Sequence, residues 1–419
     1  MRPTPLFFLL LLLSACAPDL PELPADIEYS AGTDYRATCD GETPDDDILC
    51  DAGTHRYRGR CVAVDLVIAT TAGYDAPRSG RILIAPDERL DDLRELAFPV
   101  PLGGSDGTDL TLATAGDRLM VVGRDGADTV WVYEPREGTP RFTTIPSPVA
   151  GYANFHDALW NGARYIVSAN ELDRLLLFDE KGSPAGEIPL APFAPDGIGP
   201  APSALLRNGD RAYAALQLIG DNWLSRGGRI ARFERDGTPL TPMVLPLANP
   251  TSKLAVEPLL SPDRLFVSCS GSYQSRDGGI VRVDLFTGET TVILRETTEE
   301  LSPLNVKVGD LAVTPEGDIY FTAFDDDWRG HLQVLRRDGT VRRIASDINV
   351  FAAIPLEASP FTGRIYFFDQ RSENDTIISR LNALDTGTGK VTTTPIPDAP
   401  AALRIWIREI TTTGNGERP

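Results

Sequence analysis

The feature that most constrains this chain is a phrase that returns seven times between residues 62 and 412: a short β-branched or aromatic run, a polar loop, a second apolar run, a tight turn and a third run. Its clearest copy is Tyr165-Ile166-Val167-Ser168-Ala169-Asn170, then 171–174, then Leu175-Leu176-Leu177-Phe178-Asp179. Other copies begin at Leu66, Leu119, Ala212, Leu265, Ile319 and Ile365. With Val67, Met120, Ile166, Tyr213, Phe266, Tyr320 and Tyr366 as landmarks, the intervals are 53, 46, 47, 53, 54 and 46 residues. Several strands per unit at such a period specify a β-propeller. Both faces of each unit carry apolar side chains that only neighbouring units can cover. The expected fold is therefore all-β, a single seven-bladed propeller of four-stranded antiparallel blades, with six or eight blades as the alternative count.

Composition supports this reading, because 34 prolines and 37 glycines break helices too often for a mostly helical protein. Asp236-Gly237, Thr287-Gly288 and Asp338-Gly339 predict two-residue hairpin turns with glycine at positive φ. Most units have an inner strand before the landmark strand, as at 204–206, 254–256 and 311–313, but the first unit lacks one. The alternating stretch at 403–410 is left over at the other end. It is expected to supply the missing strand and close the ring, since an open ring leaves two blade faces and a strand edge exposed.

The stretch 165–179 resembles the YVTN-type repeat of bacterial surface-layer and periplasmic seven-bladed propellers, matching it at Asn170, at 175–178 and at Asp179. The other units match in outline, with Thr70, Gly123 and Cys269 where the repeat has Asn. The resemblance implies binding or scaffolding, with sugar-lactone hydrolases among neighbouring propellers.

At the N-terminus Arg2 precedes an apolar run from Leu6 to Leu13, far shorter than the ~20 residues that span a bilayer. It is the core of a signal peptide. Leu13-Ser14-Ala15-Cys16 resembles a bacterial lipobox, which implies a leader at 1–15 and lipidation of Cys16; an ordinary signal peptide cut after Ala15 is the alternative. Ala17, in place of Asp, implies the outer membrane in a Gram-negative host. The expected organisation is 1–15 leader, 16–37 acidic Pro-rich tether, 38–61 small Cys-rich segment, 62–412 propeller and 413–419 tail. In an exported chain Cys39, Cys50, Cys61 and Cys269 are disulfide candidates with three possible pairings. Cys269, in an apolar run, reads equally as a buried free thiol.

Sixty acidic against 40 basic residues give a net charge of −20. That balance excludes a nucleic-acid partner and confines membrane contact to the lipid anchor. The chain is expected to be a monomer.

Loops between second and third strands, at 71–79, 123–128, 169–174, 217–228, 270–278, 323–330 and 369–375, are expected to gather on one face. They carry Tyr74, Trp223, Tyr273 and Trp328 among carboxylates. Such rings suit a sugar, a cation or a basic peptide, or else pack as local plugs. No cofactor is expected; Asp325 and Asp327 belong to an acidic triplet that could contribute to a Ca²⁺ site, but a solvated loop is the favoured reading. His156 and Asp157 are candidates for general-base work near the channel mouth, and Lys253 for meeting an anion. There is no HExxH or DxDxDG motif. The expected function is a lipid-anchored, non-catalytic envelope protein binding a protein or polysaccharide through the loop-rich face. The alternative is a hydrolase or lactonase with a channel-centred divalent metal on Asp157 and Asn170.

Overall fold

The second and third strands of each repeat are apolar on both sides, and the reason is visible in the third blade. Tyr165–Ala169 is buried at every position and Arg174–Phe178 at all but its first. A sheet with two oily faces must be sandwiched. The computed structural model describes residues 55–57 and 60–409, apart from 74, 137–138, 221–223, 252, 258–262, 273–274, 301, 328, 349–354 and 374–375. Within them lie seven antiparallel sheets, each with four strands running from channel to rim, blade 1 carrying a short fifth strand besides. Blade 1 holds 60–96 together with the C-terminal strand, and blades 2 to 7 follow at 110–146, 155–189, 202–245, 255–295, 307–348 and 356–396.

Seven apolar clusters fill the seams between successive blades, the last joining blade 7 to blade 1. The ring is closed by Ala399–Glu409, which pairs antiparallel with Arg60–Thr71 from Val62↔Glu409 to Thr71↔Ala399. It begins earlier than the expected 403, and blade 1 also begins earlier than 62. His55–Tyr57 pairs with the start of the same strand, so the sheet reaches back into the segment read as Cys-rich. Outer strands such as Val391–Ile396 are largely exposed and polar, which blunts the sheet edges.

Three local expectations are corrected. Gly237 and Gly339 do take positive φ (95° and 86°), but each sits near the end of a longer loop, between Glu234 and Pro239 and between Leu335 and Val341. The Glu234 N–H donates the closing bond to the Thr238 carbonyl (2.9 Å), and Asp236 Oδ1 accepts the Thr238 N–H, so the aspartate caps the turn. The loop expected at 369–375 is mostly strand, because Arg364–Glu373 and Thr376–Asp385 continue their ladder to Glu373↔Thr376. Finally, Cys269 is a buried free thiol in the seam between blades 4 and 5. Burial pushes its thiol up to about 12. Cys16, Cys39 and Cys50 lie outside the described residues, as does the side chain of Cys61.

Candidate functional site

The inner strands wall a central channel, and their register puts one position of each blade at a common level. Ala113, Leu159, Leu206, Ala255, Ala312, Glu357 and Arg404 stand opposite the landmarks Met120, Ile166, Tyr213, Phe266, Tyr320, Tyr366 and Val67. All seven line one funnel of about 1050 Å³. Its outer wall is made by turns between first and second strands, including Gly116, Asp117, Gly209 and Pro360. No described residue of the second-to-third-strand loops lines it.

The collar is lopsided. Blades 2 to 6 contribute apolar side chains, whereas blades 7 and 1 contribute an ion pair. Glu357 Oε1 lies 2.9 Å from Lys253 Nζ and 3.2 Å from Arg404 Nη1, so two cations share one carboxylate oxygen. Lys253 Nζ also donates to the Leu356 carbonyl and is 3.7 Å from Asp310 Oδ2. Two further carboxylates stitch blades together behind this group. Asp310 Oδ2 accepts the Leu356 N–H (3.0 Å), and Asp157 Oδ2 accepts the Leu205 N–H (2.8 Å) while its Oδ1 accepts the Ala158 N–H (2.8 Å). Burial pushes the Asp310 carboxyl above its usual range and that of Asp157 up to about 6, the latter opposed by the Arg404 charge. Toward the mouth, buried Glu134 accepts bonds from Arg118 (2.9 Å) and Arg136 (2.8 Å), and the Arg118 guanidinium stacks 3.9 Å from the Trp160 ring centre.

Of the residues singled out from sequence, Lys253 lines this funnel; His156, Asp157, Asn170, Asp325 and Asp327 do not. His156 and Asp157 are strand neighbours, so their side chains point to opposite sides, and no His-Asp pair is assembled. Burial, helped by Arg124, pushes His156 down to about 3 and keeps it neutral. Asn170 Nδ2 donates to Gln217 Oε1 (3.2 Å) and the Pro202 carbonyl (3.5 Å), tying blade 3 to blade 4. It borders a shallow pocket of about 290 Å³ among the loops of those blades. Asp157 and Asn170 therefore serve separate partners and do not converge. Asp325 Oδ1 accepts the N–H groups of Asp327 (3.0 Å) and Arg329 (2.8 Å), Asp326 pairs with Arg276, and Asp327 lies 4.0 Å from Arg329, so the triplet fans out. Among the described residues no group of three or more His, Cys, Asp or Glu is placed to hold a metal ion. Tyr74, Trp223, Tyr273 and Trp328 lie outside the described residues.

The other two histidines are not at the surface, although their polar surroundings in the sequence suggest exposure. His331 is 3% exposed, because a third-strand residue is covered by the next blade, and His55 is half-buried, stacked 4.8 Å from Phe361. Sequence reasoning missed Glu357 and Arg404. The signal was present: of the seven residues facing the landmarks across the inner pair, these two alone are charged.

No protein-family model matches the sequence, and no curated protein matches it. Solved structures do share its shape. A proposed 6-phosphogluconolactonase from Bacteroides uniformis superposes with a TM-score of 0.56 at 15% identity, covering 82% of this chain and 99% of its own. A protein of unknown function from Desulfotomaculum acetoxidans gives 0.52 at 14% identity, over 82% and 98%. A catalytically inactive virginiamycin B lyase from Staphylococcus aureus with quinupristin gives 0.50 at 13% identity, over 72% and 91%. At these identities the likeness extends to the fold alone.

Proposed function

We propose that this chain is a lipid-anchored binding protein of the cell envelope, a propeller of the YVTN type held to the outer membrane through Cys16, and that its ligand sits in the channel funnel. The observation that carries the binding reading is the funnel itself. It is a concave site of small-molecule size whose floor is walled by apolar inner-strand positions with an ion pair at one side, and whose mouth is ringed by further charged residues. The charged groups are paired and hold the wall together, which suits recognition more than turnover. The anchor reading is supported by Leu13-Ser14-Ala15-Cys16 and by the acidic tether that follows.

Two measurements test this. In cells, wild-type protein is expected in the washed outer-membrane fraction and the Cys16→Ser protein in the soluble fraction; retention of the variant rejects the anchor. A photo-crosslinking residue placed at Asn208 on the funnel rim is expected to give a discrete adduct that the same residue at exposed Thr392 on the outer edge does not give. No rim-specific adduct means the funnel is not the binding site.

A further inference from the structure

The lopsided collar restricts what the funnel accepts. We propose that it is a site for an anionic amphiphile, a molecule with one carboxylate or phosphate head and an apolar body, lying with its head against Arg404 and Lys253. This rests on the binding reading above and adds to it the class of ligand.

The apolar arc is the first half of the argument. Ala113, Leu159, Leu206, Ala255 and Ala312 form an unbroken run around five blades, continued toward the mouth by Val256 and Val313. A wholly hydrophilic ligand would lie against these side chains with nothing to bond, while an alkyl or ring body recovers roughly 25 cal/mol for each Å² it removes from water. The second half is the sign of the opposite arc. Two cations converge on one oxygen of Glu357. Asp310, also 3.7 Å from Lys253 Nζ, and Asp157 accept backbone N–H groups in the wall behind and do not line the funnel, so the charges lining its floor are the two cations and Glu357. Arg404 has five N–H donors, of which Nη1 bonds Glu357, and its side chain is 22% exposed on the funnel. A planar fork with an open edge matches a carboxylate or phosphate.

At the mouth, exposed Arg207 has no described carboxylate within ion-pair distance; its Nε donates to the Gly209 carbonyl (3.1 Å). Arg136 is also exposed there. The opening sets Arg118, Arg136 and Arg207 beside Asp117, Glu134 and Glu257, a near-balance of charge in a chain of net charge −20, so it is an approach that does not repel an anion as the acidic surface does. A cationic head would meet like charges at the floor.

The test uses the full-length Cys16→Ser chain without detergent. 1-Anilinonaphthalene-8-sulfonate, a sulfonate on an apolar body, is expected to bind the native protein at one site with a rise in fluorescence. Decanoate, decyl phosphate, decanol and decyltrimethylammonium then compete. Either acid is expected to displace the dye at least about tenfold more tightly than the alcohol or the ammonium, and the better of the two acids identifies the head. Arg404→Gln and Lys253→Gln should weaken the acid about tenfold and leave decanol unchanged. Arg404 belongs to the ring-closing strand, so exposed Arg207→Gln is included. It should weaken the acid about twofold at low salt and not at all at high salt. Decanol or the ammonium displacing as well as decanoate overturns the anionic head. Failure of every alkyl compound, with the rim crosslinker still capturing a ligand, overturns the amphiphile and leaves the binding reading standing; loss of the rim adduct removes both.

Discussion

Blade 3 and blade 1 are the same four-stranded sheet made in two ways. In blade 3 the inner and second strands are joined by a turn at 161–164, in which Asn161 Oδ1 accepts the N–H groups of Ala163 (3.0 Å) and Arg164 (2.8 Å). In blade 1 the corresponding strands come from opposite ends of the chain, and no covalent turn joins them. Partners across the first pair are close in sequence, as with Ser168 and Asp157, 11 residues apart; across the second they are as far apart as Asp65 and Arg408, at 343. On loop-closure entropy alone the second pairing costs about 3 kcal/mol more. The structure offsets this locally. The ladder is longer, running from Val62 to Thr71 against Tyr165 to Ala169 in blade 3. It is also locked by side chains: Arg408 donates to Asp65 (Nε, 2.9 Å), Trp406 Nε1 donates to the Gly116 carbonyl of blade 2 (2.8 Å), and Glu88 accepts bonds from blade 7. Where connectivity does not hold a blade together, specific polar contacts replace it.

The harshest way to break the comparison is to remove the closing strand. Deleting 403–419 would uncover Leu66 and Ile68 on one face of the strand and Val67 and Ala69 on the other, opening both seams of blade 1. Cooperative thermal unfolding is expected to disappear; an unchanged melt would show that the ring does not depend on its clasp. A milder break is Trp406→Ala. This ring is 1% exposed in the seam between blades 1 and 2, and its loss leaves a large cavity and an unpaired Gly116 carbonyl. A cost of about 3–5 kcal/mol is expected in denaturant titration. Trp160→Ala in blade 3, where the ring is half-buried at the funnel edge, should cost clearly less.

Blade 3 has its own weak point, and it titrates. Burial raises the Asp157 carboxyl from 3.8 to about 6, so the folded protein holds this proton more tightly than the unfolded chain does. Its contribution is therefore complete below about pH 3.8 and is lost as the pH rises toward 6, a change of about 3 kcal/mol. Asp310 and Glu296, also raised by burial, act in the same sense. Stability measured at several pH values for wild type and Asp157→Asn should differ most in slope between pH 4 and 6, with the shallower slope in the variant. Parallel curves would mean that Asp157 does not titrate in that window.

The ring was legible in the sequence because its cause is repeated. Seven landmarks, each opening a strand apolar on both faces, state the architecture many times over, and the stray strand at 403–410 had a single vacant place to fill. The funnel was less legible because its chemistry is written once. Arg404 and Glu357 look like ordinary surface charges until the register aligns them with Ala113 and Leu159, and the register needs the exact pairing, including the bulges in blades 4 and 6. The loops between second and third strands, where aromatic and acidic residues are conspicuous in a linear reading, contribute none of their described residues to the funnel. His156-Asp157 fails as a pair for a local reason that the sequence did contain, since adjacent residues on a strand diverge.

The smallest effect sharpens the comparison most, because it separates the locks of blade 1 from its ladder. Glu88 follows the third strand of blade 1, is 1% exposed and has φ of 56°, a left-handed conformation that costs a non-glycine residue energy. Its carboxylate accepts the hydroxyls of Ser359 (2.5 Å), Thr362 (3.0 Å) and Tyr366 (2.5 Å), all on blade 7. Strain and burial together are tolerated only if those three bonds outweigh them. Glu88→Gln keeps the shape but turns one acceptor into a donor facing hydroxyls, and should lower stability by about 1–3 kcal/mol with no change in ladder residues. Amide hydrogen exchange locates the effect: protection should fall at 356–368 in blade 7 while the strand Phe155–Trp160 of blade 3 is unaffected. A uniform fall across both blades would mean that the seam has no local lock, and that ladder length alone compensates for the missing turn.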